Sequence, residues 1–362
     1  MSAGNTYDLG RVTVLLVEDS HYILHVMEDL LRYMSVGNVL RARDGVEAIE
    51  HLKGSATGMS GGAPSRIDLV ISDLVMSPID GLVLLKWVRE GKESPNRFMP
   101  FIMMSGAADD EYVQKARDQG VNEFLAKPFS SNSVCQRVLE VIDNPRQFVA
   151  TKQYFGPDRQ RRQDDATLSE RRVLTEKDAN IIYSSDRVIR PKDPKDVFFF
   201  KLPNSLKEKA GGMGVKGRGS LPVEVLQEAD AQLERKAVEF HDWALEYLAN
   251  LSAYCVRAHQ APLGERRAHF DNINLLAHEL RGQGGIFGYG LITVVGKSLY
   301  EITRMGCPTD DVSVDVVKAH IDTMRVVFRD KITGDGGEVG RELLKGLSAA
   351  AKRYAAERRE HA

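Results

Sequence analysis

Cysteine is scarce in this 362-residue sequence, and the three present, Cys135, Cys255 and Cys307, are widely separated. They show no CxxC spacing, so the sequence predicts neither a zinc site nor a disulfide framework, and we interpret them as buried apolar residues in a reducing compartment. Long apolar runs are also lacking, since none approaches the roughly 18 residues that span a bilayer. The first residues, MSAGNTYDLGR, have no hydrophobic core of a signal peptide. We therefore expect a cytoplasmic protein with no membrane partner.

The sequence also has little excess of charge of either sign. Its 49 Lys and Arg residues against 51 Asp and Glu residues give a net charge of −2. This balance provides no electrostatic reason to expect binding to nucleic acid or to an anionic membrane. Hydrophobic residues at 43% and charged residues at 28% are ordinary for a soluble protein, and the length suffices for two or three domains.

Residues 12–143 alternate short apolar runs with longer amphipathic segments. This alternation is typical of βα units, and it indicates a parallel sheet covered by helices on both faces. We predict a doubly wound α/β domain of five βα units, with residues 11–145 as its limits. The apolar runs are VTVLLV at 12, NVLRA at 38, IDLVIS at 67, PFIMMS at 100 and NEFLA at 122.

Chemically active side chains follow four of these runs. Glu18 and Asp19 come after the first, Asp73 after the third, Ser105 ends the fourth and Lys127 follows the fifth. The carboxyl ends of parallel strands meet at one edge of a sheet, so we expect these groups to converge. Clustered carboxylates repel one another and favour a cation, and an oxygen-only site suits Mg²⁺. A carboxylate beside Mg²⁺ and a lysine can attack a phosphoryl group.

This arrangement resembles the receiver domain of two-component response regulators. The resemblance implies that Asp73 is the phosphoacceptor and that Glu18 and Asp19 bind Mg²⁺ together with Asp73 and the backbone carbonyl of Val75. It also implies a sensor histidine kinase as partner. The alternative is a flavodoxin-like domain with incidental acidic residues.

The same resemblance assigns roles to three further residues. Ser105 and Lys127 would contact the phosphoryl group, and Phe124 occupies the position of the aromatic switch on the last strand. One departure lies in the loop after Asp73, where Ser77 stands at a position that the family usually fills with proline, and Pro78 follows it. We expect this to change the shape of the loop and not the chemistry.

Residues 146–220 lose the periodicity and gain charge, proline and glycine. The segments GPDRQRRQDD and SERR mix both signs, so we predict a charged, partly disordered linker. Within it, Phe198–Phe200 would either dock on a flanking domain or bind a partner. The segment GGMGVKG, residues 211–217, contains a literal GxGxxG, but no strand precedes it, and we interpret it as a hinge.

The C-terminal part is predicted to be all-α. Short connections join its helical patterns, which favours an antiparallel four-helix bundle over residues 221–335 and a helical tail over residues 336–362 that packs outside or projects. The length of the first pattern leaves room for homodimerisation. The patterns cover roughly residues 222–258, 266–287, 290–305 and 312–332.

The second helical pattern carries His278 opposite its apolar stripe, and glycines follow it. Each glycine costs a helix about 1 kcal/mol relative to alanine, so glycine beside an exposed histidine suggests that another surface approaches the ring. Arg281 could hold a phosphate oxygen, and Gly282 leaves the ring uncrowded. The alternative is a surface histidine whose neighbouring glycines serve close helix packing.

The run His278, Leu280, Arg281, Gly282 and Gly288 resembles the histidine phosphotransfer domain, in which the histidine accepts phosphate. No ATP-binding boxes follow His278, so we expect no kinase activity and no enzyme. The first hypothesis is a phosphorelay protein in which Asp73 and His278 carry phosphoryl groups, with another receiver or phosphotransfer protein as partner. The second is a receiver-switched scaffold or dimerisation protein whose His278 is inert. The lack of a helix-turn-helix pattern argues against a transcription factor.

Overall fold

The computed structural model describes residues 6–57, 66–106, 110–127, 129–158, 180–182, 191, 193, 196–212 and 218–360. The chain divides into two compact units, Met1–Gln232 and Leu233–Ala362.

The first unit contains a five-stranded parallel sheet in the order β2-β1-β3-β4-β5. The predicted doubly wound α/β fold is therefore confirmed for this part of the chain. The strands are β1 Thr13–Val17, β2 Asn38–Ala42, β3 Leu69–Asp73, β4 Phe101–Gly106 and β5 Glu123–Lys127. The helices between and after them are α1 His21–Tyr33, α2 Gly45–Thr57, α3 Gly81–Glu90, α4 Asp110–Asp118 and α5 Ser131–Asp143.

Strands β1 and β3 are buried along their whole length, as their continuous apolar sequences predict for central strands of a parallel sheet. The helices that follow three of the strands begin at side-chain caps. Ser20, Asp80 and Ser130 each accept a hydrogen bond from a backbone N–H in the first turn of the next helix. These caps fix where each strand-to-helix loop ends, and those loops carry the functional groups.

The part of the chain that the sequence assigns to a linker contains a second sheet. Its strands are β6 Phe148–Ala150, β7 Phe155–Pro157, β8 Asn180–Ile182 and β9 Phe198–Phe200, in the order β7-β6-β9-β8. Strand β6 pairs antiparallel with β7 and β9, and β8 pairs parallel with β9. These strands are folded and are not linker. The charged runs over residues 159–179, where we predict disorder, lie outside the described residues.

Four phenylalanines, Phe98, Phe148, Phe155 and Phe200, pack together and form what we call the phenylalanine cluster. Their ring centroids lie 5.0–5.9 Å apart. Phe98 precedes β4 of the parallel sheet, whereas the other three belong to the second sheet. Of the two alternatives for Phe198–Phe200, the structure therefore shows docking on the preceding domain.

Beneath this cluster lies Arg89, whose side chain is 1% exposed. It donates hydrogen bonds of 2.8–3.0 Å to the carbonyl oxygens of Gly120, Arg97 and Met99 and to Oδ1 of Asn122. Its guanidinium carbon also lies 5.2 Å from the Phe148 ring centroid. Arg89 thus joins the C-terminus of α3, the starts of β4 and β5 and the second sheet.

The remainder of the predicted linker is fastened to the first unit. Helix α6 Ser205–Lys209 forms two ion pairs, with Lys207 3.1 Å from Asp143 and Lys209 2.7 Å from Asp68. The Tyr7 ring contacts both Gly212 and Gly219, where a Cβ atom would overlap it. Both ends of the predicted hinge are therefore held at Tyr7, while residues 213–217 lie outside the described residues.

The second unit is helical, as predicted. It contains the later part of α7 Val223–Gln260, which begins in the first unit, and then a short 3₁₀ helix at Leu263–Glu265. The helices that follow are α8 Arg266–Gly284, α9 Gly290–Thr303, α10 Asp311–Arg329 and α11 Gly337–Glu360, of which α11 packs against α10. Among the described residues, no helix has the length and apolar character needed to cross a membrane.

Candidate functional site

Acidic residues and a lysine converge at the carboxyl edge of the parallel sheet. Glu18 follows β1, Asp73 is the last residue of β3 and Lys127 is the last residue of β5. The Lys127 Nζ atom lies 2.8 Å from Oδ1 of Asp73 and 2.8 Å from Oε2 of Glu18. Glu18, Asp19 and Asp73 each offer an oxygen within 4.8 Å of the others, and we call these three residues the acidic pocket. The predicted convergence of these groups is found in the structure.

Burial determines the electrostatics of this group. The pKa of the Glu18 carboxyl is raised well above its usual value, first by burial and then by the negative charge of Asp73, with Lys127 acting in the opposite direction. Burial by itself lowers the pKa of Lys127, but the charges of Asp73 and Glu18 outweigh it and raise that pKa. The two carboxyl groups thus favour the charged form of Lys127.

The donor set fits a small divalent cation. Within this group three carboxylates face one ammonium, and all the ligands are oxygens, which suits Mg²⁺ that retains several water molecules. Burial and, after it, the negative charge of Asp73 raise the pKa of Glu18 despite Lys127, and a cation among these carboxylates would offset that charge. The side chain of Val75, whose carbonyl the resemblance adds as a ligand, packs against the core of the sheet domain.

Ser105 and Phe124 lie on strands that neighbour the pocket. Ser105 is buried and follows Met104, the register partner of Asp73 across β3 and β4. Phe124, on β5, is half-buried and packs against the hydrophobic core, with the guanidinium carbon of Arg117 5.8 Å from its ring centroid. The structure thus places Ser105 at the edge that carries Asp73, and it places Phe124 beside the core.

Sequence reasoning missed Gly81, the first residue of α3. A Cβ atom here would overlap the carbonyl oxygen of Asp73 and lie 2.8 Å from Sδ of Met103. The Gly81 N–H donates a 3.1 Å hydrogen bond to the carbonyl of Leu74. Glycine fits here because α3 begins directly against the backbone of Asp73. The signal was the Asp-Gly pair that ends the loop containing the cis Ser77–Pro78 peptide bond.

His278 lies in the middle of α8 and is half-buried. Its ring centroid is 5.5 Å from that of Tyr300 on α9, and the guanidinium carbon of Arg281 is 5.2 Å from the same Tyr300 centroid. The prediction of an uncrowded, outward-facing ring therefore needs correction, because the neighbouring helix supplies an aromatic side chain. Nothing in the sequence near His278 signals Tyr300, which lies 22 positions further along the chain.

Glycines explain why α8 and α9 approach so closely. A Cβ atom at Gly296 would lie 3.0 Å from the Arg281 nitrogen, and one at Gly284 would lie 2.7 Å from Cβ of Ile292. Gly288 has a φ angle of +82°, in the left-handed region that favours glycine after a helix. Packing and chain reversal therefore account for Gly284 and Gly288, while Gly282 is a half-buried residue one turn from His278.

Comparison with known proteins identifies a family for part of the first unit. The family described as response regulator receiver domain matches residues 14–139. Chemotaxis protein CheY-3 of Vibrio cholerae is 26% identical over 133 residues, which cover 37% of this chain and 93% of that protein. Sensor kinase CckA of Brucella abortus is 35% identical over 135 residues, which cover 37% of this chain and 13% of that protein.

Solved structures also match about a third of the chain. Chemotaxis protein CheY4 of Vibrio cholerae is 27% identical, with a TM-score of 0.30, and the match covers 36% of this chain and 98% of that one. The receiver domain of a sensor histidine kinase from Pseudomonas aeruginosa, solved with a coordinated magnesium ion, is 26% identical with a TM-score of 0.29. That match covers 36% of this chain and 94% of that one. From the family match and the sheet topology, residues 14–139 are a response regulator receiver domain.

Proposed function

We propose that this chain is a phosphorelay protein in which Asp73 accepts a phosphoryl group and His278 passes phosphoryl groups to or from a receiver. The observation that carries the proposal is the ion-paired group of Asp73, Lys127 and Glu18 at the carboxyl edge of the receiver sheet. A sensor histidine kinase or a small phosphodonor is the source of the phosphoryl group at Asp73.

At the receiver, an Asp73 carboxylate oxygen attacks phosphorus, and the bond from phosphorus to the donor's leaving atom breaks. Lys127 is 2.8 Å from Asp73 before the reaction, so its ammonium is in place to neutralise a phosphoryl oxygen. Ser105 donates its hydroxyl to another such oxygen. Glu18, Asp19, Asp73 and the Val75 carbonyl would hold Mg²⁺, which when bound offsets negative charge on the phosphoryl oxygens.

At the helical unit, the proposal rests on the surroundings of His278. An imidazole nitrogen attacks phosphorus, the new nitrogen–phosphorus bond forms, and the bond to the carboxylate of the phosphorylated receiver breaks. Arg281, one turn along α8, supplies a cation for the phosphoryl oxygens, and Tyr300 lies against both side chains. Gly282, one turn from His278, adds no side chain beside the ring. The reverse reaction passes through the same groups.

We infer that the chain is not a kinase and exchanges phosphoryl groups with other proteins. The supporting observation is that no segment after His278 resembles the ATP-binding boxes of histidine kinases. Its partners are then a sensor histidine kinase together with another receiver or phosphotransfer protein. Asp73 and His278 belong to different units of the chain. Direct transfer between them is therefore one route, and transfer to or from other proteins is another.

Two full-length variants test the proposal together. The His278→Gln chain is loaded at Asp73 with acetyl phosphate and Mg²⁺, freed of donor and mixed with the Asp73→Asn chain, which carries a mass tag. We expect base-stable, acid-labile phosphate on the Asp73→Asn chain, as phosphohistidine requires. If the His278→Gln chain is loaded but transfers nothing, the result supports Asp73 as the phosphoacceptor. It also excludes the receiver domain of this chain as the donor for His278. Failure of loading would reject the receiver assignment.

One observation favours a second function, that of a receiver-switched scaffold whose His278 is inert. Gly284 and Gly288 have structural roles that need no approaching surface. Transfer to the Asp73→Asn chain should then be absent with every phosphorylated receiver tried, while Asp73 still accepts phosphate. Phosphohistidine at position 278 from any receiver excludes this function.

A further inference from the structure

Helices α7 and α10 border a groove on the surface of the helical unit. One cavity of about 340 Å³ lies between Val256 on α7 and Lys318 on α10, and a second of about 550 Å³ adjoins it at Leu245. Asp322 and Arg325 line both cavities, so the two form one continuous groove. Leu245 and Val256 are 45% and 54% exposed, which is unusual for large apolar side chains at regular helical spacing.

The α7 side of this groove repeats at the 3, 4 spacing of a coiled-coil seam. The repeating positions are 242, 245, 249, 252, 256 and 259. They are symmetric about the point between Asn250 and Leu251, so when the helix is reversed each position falls where another of these positions was. The exchanged pairs are compatible: apolar with apolar, small with small, and acidic with histidine. The pairs are Leu245 with Val256, Ala249 with Ser252 and Asp242 with His259.

Six exposed charged residues along α10 show the same spacing, and the apolar residues Val314, Ile321 and Val326 also line the groove on this side. These six positions are symmetric about His320, and reversal of the helix places every acidic residue opposite a basic one. The signs along the helix are minus, minus, plus, minus, plus, plus. The pairs are Asp311 with Arg329, Asp315 with Arg325 and Lys318 with Asp322.

The two centres of symmetry lie at nearly the same height. The Cys255 thiol is 3.8 Å from the Val314 carbonyl oxygen, which fixes the antiparallel register of α7 and α10. At 1.5 Å per residue, Cys255 lies about 7 Å beyond the centre of α7 and Val314 about 9 Å before the centre of α10. One two-fold axis perpendicular to both helices can therefore pass through both centres.

We infer that this face binds a second copy of the chain through an antiparallel two-fold interface, α7 against α7 and α10 against α10. The same surface of each copy then meets itself, as in most homodimers. The apolar positions of α7 become buried between copies, and the six charges of α10 form three kinds of interchain ion pair. This inference goes beyond phosphotransfer and does not depend on it.

Charge complementarity selects a second copy as the occupant. On both helices, the residues of this face are complementary to the residues of the same face after a rotation by 180° about one axis. A parallel pairing of α10 with the α10 of the other copy is disfavoured, because each charge would then meet the identical charge. Two existing contacts of these residues, Arg325 to Asp322 at 2.9 Å and Arg329 to Asp330 at 2.7 Å, are exposed ion pairs of small net stability, so their exchange costs little. Asp311 differs, because it lies 2.7 Å from Arg266, whose side chain is 8% exposed.

Sedimentation equilibrium of the full chain measures the association. We expect a mass of twice 40.3 kDa at concentrations on the order of 10–100 µM, the range of a weak homodimer. Val256→Asp should shift the chain to monomer. Val294→Asp is the matched control, because Val294 is similarly exposed at 50% and lies on α9, outside the groove. A monomeric wild-type chain, or equal effects of both substitutions, overturns the inference.

A charge exchange tests the register itself. Lys318→Glu places two acidic residues opposite each other across the axis, and Asp322→Lys places two basic ones there, so each variant should dimerise about tenfold or more weakly than wild type. When the two variants are mixed, the introduced glutamate of one copy meets the introduced lysine of the other. The unchanged Asp322 of the first copy then meets the unchanged Lys318 of the second.

The mixture should therefore regain wild-type association as a heterodimer, and the double variant Lys318→Glu/Asp322→Lys should regain it as a homodimer. Circular dichroism confirms that each variant is folded, which the exposure of both side chains leads us to expect. Dimerisation that is unchanged in the single variants, or that is not restored on mixing, overturns the antiparallel arrangement.

Discussion

The ammonium of Lys127 lies 2.8 Å from Oδ1 of Asp73, and the same nitrogen lies 2.8 Å from Oε2 of Glu18. Lys127 is therefore ion-paired with two of the three carboxylates of the acidic pocket, which would hold a metal ion. A metal ion would share these oxygens with Lys127, and under the proposed function the ammonium would move from Asp73 to the phosphoryl group that Asp73 accepts.

Replacing Lys127 should separate metal binding from phosphorylation. Lys127→Met removes the competing charge, so we expect Mg²⁺ to bind more tightly, while Asp73 labelling from acetyl phosphate falls about 100-fold or more because a charge on the phosphoryl oxygens is uncompensated. Calorimetric titration measures the first effect and phosphate labelling the second. Lys53→Met, which removes an exposed ion pair with Glu93, serves as the control. Labelling at the wild-type rate would contradict the role assigned to Lys127.

The close contact at Gly81 predicts a cost for the smallest side chain. Gly81→Ala forces the start of α3 away from the Asp73 carbonyl, so we expect a loss of about 1–3 kcal/mol in the free energy of unfolding and slower labelling of Asp73. Gly54→Ala, in α2, meets no atom within 4 Å and should stabilise by about 0.5–1 kcal/mol. Urea denaturation measures both. Similar free energies for the two variants would argue against the close contact.

Arg89 is expected to hold the second sheet on the receiver. Arg89→Met leaves three carbonyl oxygens and the Asn122 amide oxygen without this donor in a buried region, which should cost about 1–3 kcal/mol for each group left unpaired. Arg43→Met is the comparison, because the side chains of Arg43 and its ion-pair partner Glu47 are 69% and 37% exposed. Urea denaturation gives the free energies, and proteolysis reports release of β6 and β7. A loss under about 1 kcal/mol, the level of an ordinary hydrogen bond, would mean that the phenylalanine cluster suffices without Arg89.

Tyr300 contacts both groups of the proposed phosphohistidine site. Tyr300→Leu should let Arg281 leave the vicinity of His278, and we expect transfer of label to His278 to fall about tenfold with unchanged helix content. Tyr254→Leu is closely matched, since Tyr254 also has a histidine ring, that of His269, and an arginine, Arg257, beside it. An equal fall in both variants would indicate a general effect on the helical unit.

His320 makes the stability of the helical unit dependent on pH. Burial lowers the pKa of this histidine below its usual value, opposed by its hydrogen bond to the Val316 carbonyl. The folded state then binds fewer protons than the unfolded state, so stability is complete above the ordinary histidine pKa of 6.5 and is lost as the pH falls through the lowered pKa. Urea midpoints followed by circular dichroism should therefore decrease from about pH 7.5 to about pH 5. The decrease should be smaller in His320→Leu, and parallel curves would refute this origin.

Local sequence determined much of the receiver. Each strand of the parallel sheet is a short apolar run, and parallel strands place their carboxyl ends on one edge, so Glu18, Asp73 and Lys127 could be grouped although they are more than 50 residues apart. The helices of the C-terminal part were likewise predicted by their own periodicity, which is a property of neighbouring residues.

Only the tertiary structure determined which residues of different elements contact one another. The segment around Phe198 and Phe200 has no period, and it becomes a strand by pairing with β6 and β8 and by packing against Phe98. Arg89 resembles any arginine at the end of a helix until the fold surrounds it with carbonyl groups, and Tyr300 meets His278 only because Gly296 lets two helices approach. Periodicity and propensity depend on residues that are close together in the sequence. These contacts join residues that are far apart in the sequence, and no local pattern predicts them.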